Sequence, residues 1–339
     1  MLDTLITYVT TGACTLAGFT VLFYLHHMYL KTGKIVKKVV DGKEFNVISG
    51  DRIFDIIHAE IYKDECYFKY GVTLKGVEKP FVIDAGANVG LFSRWIAESF
   101  PTATVHAAEP VPQLHQCATA NCEAHKDRVH IHKVGLSDKP GSASFTYMPT
   151  TTGGSTMFEG DLLSPLKKYP SRMVASAIVI DLKLSTGPIT SKMLSALAAL
   201  LQTPVVGDVA LYTVFVPLFL FFAYYRGCCT EKKQLIDCKL VTLDDMIENL
   251  GNTPLSTIPK IDLLKVDVEA AEYAVILGGS DALWDKVQQT VIEVTNVDNR
   301  IEKIKVFLAE KGFKNVHVDS EQWEIHKYLD ISTIFATRK

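Results

Sequence analysis

The sequence predicts an α/β protein built on a doubly wound parallel sheet. Short apolar runs that end at small or acidic residues alternate with segments of helical period along most of the chain. Such alternation is typical of a parallel sheet with helices on both faces. The 339 residues carry a net charge of −3, which argues against a nucleic-acid-binding protein, since such proteins are usually basic.

The strands and helices follow from local patterns. Residues 81–85 form an apolar run that contains Asp84 near its end, and residues 104–108 form one that is followed by Glu109. Such runs are typical of buried parallel strands. A helix over 242–250 begins at Thr242, a good capping residue, with two aspartates in its first turn. The other predicted strands are 129–134, 142–148, 261–268, 290–294 and a pair near 316 and 333; the other predicted helices are 89–99, 113–125, 271–277 and 300–311.

An N-terminal apolar segment predicts a membrane anchor. Residues 4–25 contain no charged side chain, and a helix of that length can cross a hydrocarbon core of about 30 Å. A signal peptide is the alternative, but it would have basic residues near its start, whereas the start of this chain carries the acidic Asp3. Basic residues follow the segment and favour a cytosolic location for the rest. We therefore predict an anchor at 1–30, a basic linker at 31–58 and the folded domain at 59–339.

A second apolar region interrupts the predicted domain as an insertion of about 154–239. Residues 209–225 carry no charge, and they form either a buried core helix or a membrane-associated segment. The strands before and after the insertion must join one sheet, so the insertion has to begin and end on the same side of the membrane. A single membrane crossing is therefore excluded, and a membrane hairpin or a helix lying in the interface remains. Cys228 and Cys229 are either palmitoylation sites or ordinary reduced thiols. The seven cysteines lack metal-ligand spacing, which favours a reducing compartment.

The turn in FVIDAGANVG, residues 81–90, indicates which ligand the sheet holds. A phosphate-binding P-loop would need a lysine followed by serine or threonine, and none follows these glycines. A dinucleotide turn would need a glycine between the outer two, but Asn88 lies between Gly86 and Gly90. Asp84 would in addition repel a pyrophosphate.

A cationic ligand fits this turn better. S-adenosylmethionine has an ammonium and a sulfonium group, and a carboxylate at Asp84 can pair with the ammonium, directly or through water. Gly86 and Gly90 would let the methionyl part approach the backbone, with Asn88 between them. Glu109 ends the next strand and can accept hydrogen bonds from both ribose hydroxyls. Since NAD enzymes also use an acid there, Glu109 alone does not discriminate between the two cofactors.

Several motifs in order resemble a known family, the FkbM-type methyltransferases. They are DAGANVGLFS at 84–93, AEP at 108–110, VGLSD at 134–138, GGSTM at 153–157, VTLDDMI at 241–247 and IDLLKVDVEAAEYAVILGG at 261–279. The resemblance implies a class I methyltransferase (Rossmann-like) fold with seven strands, the last antiparallel. It also implies methyl transfer to a hydroxyl of a sugar, glycan or polyketide-like acceptor. Ala270 departs from the family, which usually has glycine there.

Acidic residues at the end of the strand 261–268 are the candidate catalytic groups. Transfer to a hydroxyl needs close alignment and a base within about 3 Å. Asp267 and Glu269 are predicted to be that base or to position the acceptor, and neighbouring carboxylates can split their pKa values. Glu269 and Glu272 could instead cap the following helix. A metal-assisted variant would combine Asp267 with Glu293 and Asn296, but the spacing is weak, so no metal is assigned.

The sequence leaves two functional hypotheses from different classes. The first is a membrane-anchored, cytosol-facing O-methyltransferase that acts on a small-molecule, sugar, glycan or lipid-linked acceptor, with membrane lipid but no nucleic acid as a partner. The second is a non-catalytic membrane protein that keeps the fold as an interaction module. The retention of Asp84, Gly86, Gly90 and Glu109 together favours the enzyme. An NAD-dependent oxidoreductase is disfavoured by the turn.

Overall fold

The computed structural model describes residues 33–51, 53–149, 151–157, 234–320 and 330–338. The predicted anchor at 1–30 and most of the predicted insertion lie outside these residues, so the membrane segments stay predictions. Across the ranges just given, no helix combines the length and the apolar character that a membrane crossing requires.

A seven-stranded sheet forms the centre of the domain. In spatial order its strands are β5 (Val129–His132), β4 (Thr104–Ala108), β3 (Phe81–Ala85), β9 (Leu263–Val266), β10 (Gln289–Thr295), β12 (Ile331–Thr337) and β11 (Asn315–Asp319). β12 is antiparallel to both of its neighbours, and the pairs from β5 to β10 are parallel. This is the seven-stranded sheet with an antiparallel last strand that the family resemblance implies.

Helices cover both faces of the sheet. They are α1 (Phe54–Tyr62), α2 (Leu91–Ser99), α3 (Pro112–Cys122), α4 (Leu243–Asp245), α5 (Glu272–Leu277), α6 (Asp281–Trp284) and α7 (Arg300–Glu310). Successive strand residues enter different cores: Val82 packs in the core with α2 and α3, and Ile83 in the core with α5 to α7. This alternation follows from the two-residue period of a strand, so both faces of β3 are apolar.

The predicted elements agree with the structure with a few differences in length. β3 and β4 have their predicted bounds, whereas β9 is shorter than the predicted strand 261–268. The predicted helix 242–250 is the short α4 followed by a π-helical turn, Met246–Leu250. Thr242 caps it as predicted, since its side-chain oxygen accepts a hydrogen bond from the Asp245 backbone N–H at 3.1 Å.

The two ends of the predicted insertion meet in a small sheet. β8 (Gln234–Val241) pairs antiparallel with β7 (Gly141–Tyr147), and β6 (Gly135–Leu136) lies on its other side. Residues 234–239, predicted to be part of the insertion, therefore belong to β8 of the folded domain. Thr146 pairs with both Thr156 and Leu235, so the described residues before 158 and after 233 lie next to each other in this sheet.

The prediction of a basic linker at 31–58 is wrong for its described residues. They form a hairpin, β1 (Ile35–Val40) with β2 (Lys43–Ile48), and most of α1. Asp41 and Gly42 make the turn with positive φ, a common two-residue hairpin connection. Phe45 is fully buried, 5.7 Å from the Phe54 ring and 4.4 Å from the Arg94 guanidinium. The hairpin therefore belongs to the domain core.

We expect Phe45→Ala to lower the free energy of unfolding by about 3–5 kcal/mol, because it removes a fully buried ring from this core. Denaturant unfolding of the chain measures the change. Val39→Ala is the matched control in the same hairpin; Val39 is 66% exposed, so its effect should stay below about 0.5 kcal/mol. A change at Phe45 as small as at Val39 would mean that the hairpin does not contribute to the fold.

Candidate active site

A cavity of about 410 Å³ lies at the carboxyl ends of β3, β4, β9 and β10. This is where ligands bind in open α/β sheets. The glycine turn after β3 and the end of β9 form its floor, and α1 and the loop 151–155 line other parts of its wall. The motif GGSTM at 153–157 therefore lies against the cavity, although residues 154–157 were predicted to begin the apolar insertion.

Asp84 is sealed beneath the cavity. Its side chain has no exposed surface and does not line the cavity. Ser93 donates a hydrogen bond to Oδ2 at 2.6 Å, and the Lys265 ammonium donates to Oδ1 at 3.0 Å. Of the two predicted forms of pairing between Asp84 and a cofactor ammonium, direct or through water, the direct contact does not fit this geometry. Asp84 neutralises Lys265 instead.

The two glycines of the turn are required by the chain itself. Both have positive φ. A Cβ at Gly86 would lie 1.8 Å from the carbonyl oxygen of Asp267, and one at Gly90 would lie 2.8 Å from Cα of Ala118 on α3. Gly86 also lines the cavity, whereas Gly90 does not. The close approaches are thus to β9 and α3, and the predicted role of Gly90 beside a cofactor is not supported.

Glu109 and Asn88 meet at the cavity. The backbone N–H of Asn88 donates to Oε2 of Glu109 at 2.8 Å, and that of Val111 donates to Oε1 at 2.9 Å. Burial raises the pKa of Glu109 to about 8, although these two hydrogen bonds oppose the shift. The buried Oδ1 of Asn88 has no hydrogen-bond partner among the described residues. Glu109 and Asn88 therefore keep acceptor capacity for a ligand.

An apolar wall lies next to Glu109. It comprises Val111, Leu114, Val134, Leu136 and Phe145, which come from α3, the segment after β5, β6 and β7. A flat aromatic base fits a wall of this kind, and Glu109 at its edge suits hydroxyl donors. The residues in this half of the cavity thus fit a nucleoside, as the sequence analysis predicted for Glu109.

The other half of the cavity is acidic. Asp267, Glu269, Glu293 and Glu60 all line it. Burial, followed by the charges of Asp267 and other carboxylates, raises the pKa values of Glu269 and Glu293 well above their usual range. The structure thus brings Asp267 and Glu269 together as predicted and adds Glu293 to them. Like charges in a buried space favour the uptake of protons or of a cation.

Asp267 is held by a tyrosine outside the predicted motifs. The Tyr67 hydroxyl donates to Oδ2 of Asp267 at 2.9 Å, and the Lys265 ammonium lies 3.6 Å from the same oxygen. The Lys265 ammonium also lies 5.3 Å from the centre of the Tyr67 ring. Tyr67 is buried and lines the cavity. These contacts fix the carboxylate orientation of Asp267.

The backbone of the turn between β9 and α5 explains why glycine is usual at position 270, where this chain has alanine. Glu269 and Ala270 both have positive φ, at 52° and 71°. A non-glycine residue in this region costs about 1–2 kcal/mol, which is the physical reason for glycine at this position. Ala270 does not line the cavity, so its methyl group does not narrow the acceptor space.

Glu272 and Asn296, two further sequence candidates, lie outside the cavity. Glu272 accepts a hydrogen bond from the backbone N–H of Ala270 at 2.5 Å and pairs with Arg300 at 2.8 Å, so it is structural. Asn296 accepts from the backbone N–H of Ile301 at the start of α7, which separates it from the metal set considered with Asp267 and Glu293. The described residues contain no cluster with metal-ligand geometry.

The roles of Lys265 and Tyr67 and the presence of α1 were not predicted from the sequence. A lysine inside the apolar strand 261–268 was a usable signal, because a buried charge requires a partner. The apolar period of Phe54, Ile57 and Ile61 was the corresponding signal for α1. Tyr67 lies in an irregular segment and had no local signal, since only the tertiary fold brings it to Asp267.

The sequence is similar to that of known methyltransferases. The model of the "Methyltransferase FkbM domain" matches residues 224–314. The 31-O-demethyl-FK506 methyltransferase FkbM of Streptomyces tacrolimicus is 28% identical over 83% of this chain and 89% of its own length. Methyltransferase 1 of Beauveria bassiana is 25% identical over 85% of this chain and 93% of its own length.

Similarity to solved structures is weaker. The TYW2 protein of M. jannaschii in complex with AdoMet is 10% identical, with a TM-score of 0.37 over 89% of this chain and 84% of its own. The family match and the related methyltransferases confirm the predicted enzyme class, and the strand order given above is that of the class I fold. The chain is similar to the FkbM-type methyltransferases, and its enzyme class is that of an S-adenosylmethionine-dependent methyltransferase.

Proposed function

We propose that the protein transfers a methyl group to a hydroxyl of a small-molecule, sugar or lipid-linked acceptor at a membrane surface. The observation that carries this proposal is the group of carboxylates at the end of β9, which lies in one cavity with Glu109 and the glycine turn. S-adenosylmethionine supplies a methyl group that its sulfonium makes electrophilic. The name of one relative specifies methylation at an oxygen, which supports a hydroxyl acceptor.

The cavity residues have separate tasks in this proposal. Glu109 accepts hydrogen bonds from the ribose hydroxyls, and Asn88 offers its free amide oxygen beside it. Transfer breaks a carbon–sulfur bond and forms a carbon–oxygen bond, and the hydroxyl proton passes to a base. Glu269 is the proposed base, because its raised pKa makes its ionised form a stronger proton acceptor than an ordinary carboxylate.

The cavity wall supports an acceptor with an apolar part. Ile57 and Ile61 of α1, and Ile53 directly before it, line the cavity together with Phe92 and Met157. An acceptor that presents a hydroxyl beside a hydrocarbon or polyketide-like portion fits both the carboxylates and this wall. A lipid-linked acceptor would combine these properties with delivery from a membrane surface.

Binding of S-adenosylhomocysteine should depend on the ionisation of Glu109. The free carboxyl has a pKa of about 8, and ribose hydroxyls need the ionised form as acceptor, so binding near pH 7 should release a proton. Affinity should therefore rise by up to about tenfold per unit as the pH increases toward 8. Calorimetric titration in buffers of different ionisation enthalpy measures both quantities.

In Glu109→Gln, the number of protons released should fall by about one and the affinity should drop. Glu310→Gln, at the exposed end of α7, is the control that should change neither. Equal proton release in the wild type and in Glu109→Gln would refute the role of Glu109. Failure of the wild type to bind S-adenosylhomocysteine at all would refute the cofactor site.

Glu269→Gln should reduce methyl transfer to a hydroxyl acceptor by at least about 100-fold, the usual contribution of a positioned base. Its affinity for S-adenosylhomocysteine should stay within about threefold of wild type. Transfer of labelled methyl from S-adenosylmethionine to a panel of sugar, polyketide-like and lipid-linked alcohols measures activity, with Glu310→Gln as control. Undiminished transfer to an alcohol in Glu269→Gln would exclude Glu269 as the base.

Membrane attachment through residues 1–30 is a separate part of the proposal, supported by the apolar run at 4–25. The full chain should float with phosphatidylcholine vesicles and resist extraction at alkaline pH. A variant without residues 1–30 should no longer float with the vesicles. If it still floats, and is released only when 209–225 are also removed, the insertion contributes to the attachment. Recovery of the full chain in the soluble fraction would contradict the anchor.

A further inference from the structure

We infer that Asp267, rather than Asp84, receives the ammonium group of the cofactor's amino-acid part. The inference rests on the proposed cofactor site and assigns a role to one of its side chains. It follows from three features of the strand ends: Asp84 is inaccessible, Asp267 lies beside the glycine turn with a partly exposed carboxylate, and the other carboxylates of the cavity are less well placed for an ammonium group.

The first feature is the closure of Asp84 by its own partners. Oδ2 accepts from Ser93 and Oδ1 from Lys265, and the carboxylate has no exposed surface. An ammonium group from the cavity would have to displace Lys265, whose side chain is only 3% exposed. Breaking a buried ion pair of this kind leaves an uncompensated charge, so the pair is not available for exchange.

The second feature is the position of Asp267. β9 pairs with β3, and the Asp267 backbone N–H donates to the Ala85 carbonyl at 2.9 Å, directly before the glycine turn. The Asp267 side chain lines the cavity and is 24% exposed. Among the described residues, Tyr67 and Lys265 both approach Oδ2, so Oδ1 remains for a ligand.

The third feature is the electrostatics around Asp267. Lys265 lies closer to Asp84, at 3.0 Å, than to Asp267, at 3.6 Å, and its charge is balanced by Asp84. Glu269 and Glu293 have raised pKa values because they are buried beside other carboxylates. The Asp267 carboxylate is instead oriented by the Tyr67 hydroxyl, and its Oδ1 has no partner among the described residues, so it is the better-placed acceptor for an ammonium group.

The test compares two ligands that differ in the group concerned. S-adenosylhomocysteine carries the amino-acid part, whereas 5′-methylthioadenosine lacks it and keeps the nucleoside and the sulfur. In Asp267→Asn we expect the affinity for S-adenosylhomocysteine to fall by about 10- to 100-fold, while that for 5′-methylthioadenosine stays within about twofold, both by calorimetry on the full chain. Unchanged binding of 5′-methylthioadenosine also shows that the variant is folded.

Two further variants distinguish a direct contact of Asp267 with the ammonium group from the overall negative electrostatic field of the cavity. Glu293→Gln removes a carboxylate elsewhere in the cavity and should change the ratio of the two affinities by less than threefold. Asp285→Asn removes an exposed charge at the end of α6 and should change neither affinity. An equal loss of both ligands in Asp267→Asn, or the same change of ratio in Glu293→Gln, would overturn the inference.

The same titration distinguishes this inference from the proposed function. If the wild type binds S-adenosylhomocysteine and Asp267→Asn binds it equally well, the cofactor site stands and the assignment of Asp267 is wrong. If the wild type binds neither ligand, the cofactor site and the assignment fail together.

Discussion

The buried ion pair between Lys265 and Asp84 is the interaction on which the site depends. It joins the two central strands, β9 and β3, where both approach the cavity. The ammonium also donates to the Gly86 carbonyl at 3.0 Å, which fixes the glycine turn to β9. Removal of one partner would leave a buried charge unpaired, at a cost of about 3–5 kcal/mol. The position of the turn, of α2 through Ser93 and of Asp267 therefore follows from one electrostatic contact.

The charge of the cavity complements a cationic ligand. Four carboxylates face the acidic half of the cavity: Glu60, Asp267, Glu269 and Glu293. The charge of the nearby Lys265 is already neutralised by Asp84. Burial, followed by the repulsion among these carboxylates, raises the pKa values of Glu269 and Glu293 and favours their protonated forms while no cation is present. The same arrangement that is costly in the free protein favours a sulfonium and an ammonium group when they enter. Binding and acid–base chemistry are thus consequences of one charge distribution.

The N-terminal hairpin and α1 give the site its wall. Phe45 and Phe54 bury the hairpin and the start of α1 in the core, and this packing directs Ile57 and Glu60 of the same helix toward the cavity. One element therefore provides both an apolar surface and a carboxylate. At the opposite side, the strained turn at Glu269 and Ala270 places a carboxylate at the cavity at a cost in backbone energy, as is common at functional sites.

The sequence by itself determined the alternating strands and helices, the glycine turn, Glu109 and the acidic end of β9, because local periodicity and short motifs encode them. It also contained signals for the hairpin, in Asp41-Gly42, and for a buried partner of Lys265. Only the tertiary structure decided that Asp84 is closed by Lys265 and that Tyr67 holds Asp267. Those contacts join residues about 180 and 200 positions apart. No local pattern specifies such a pair, since it exists only once β3 and β9 lie side by side.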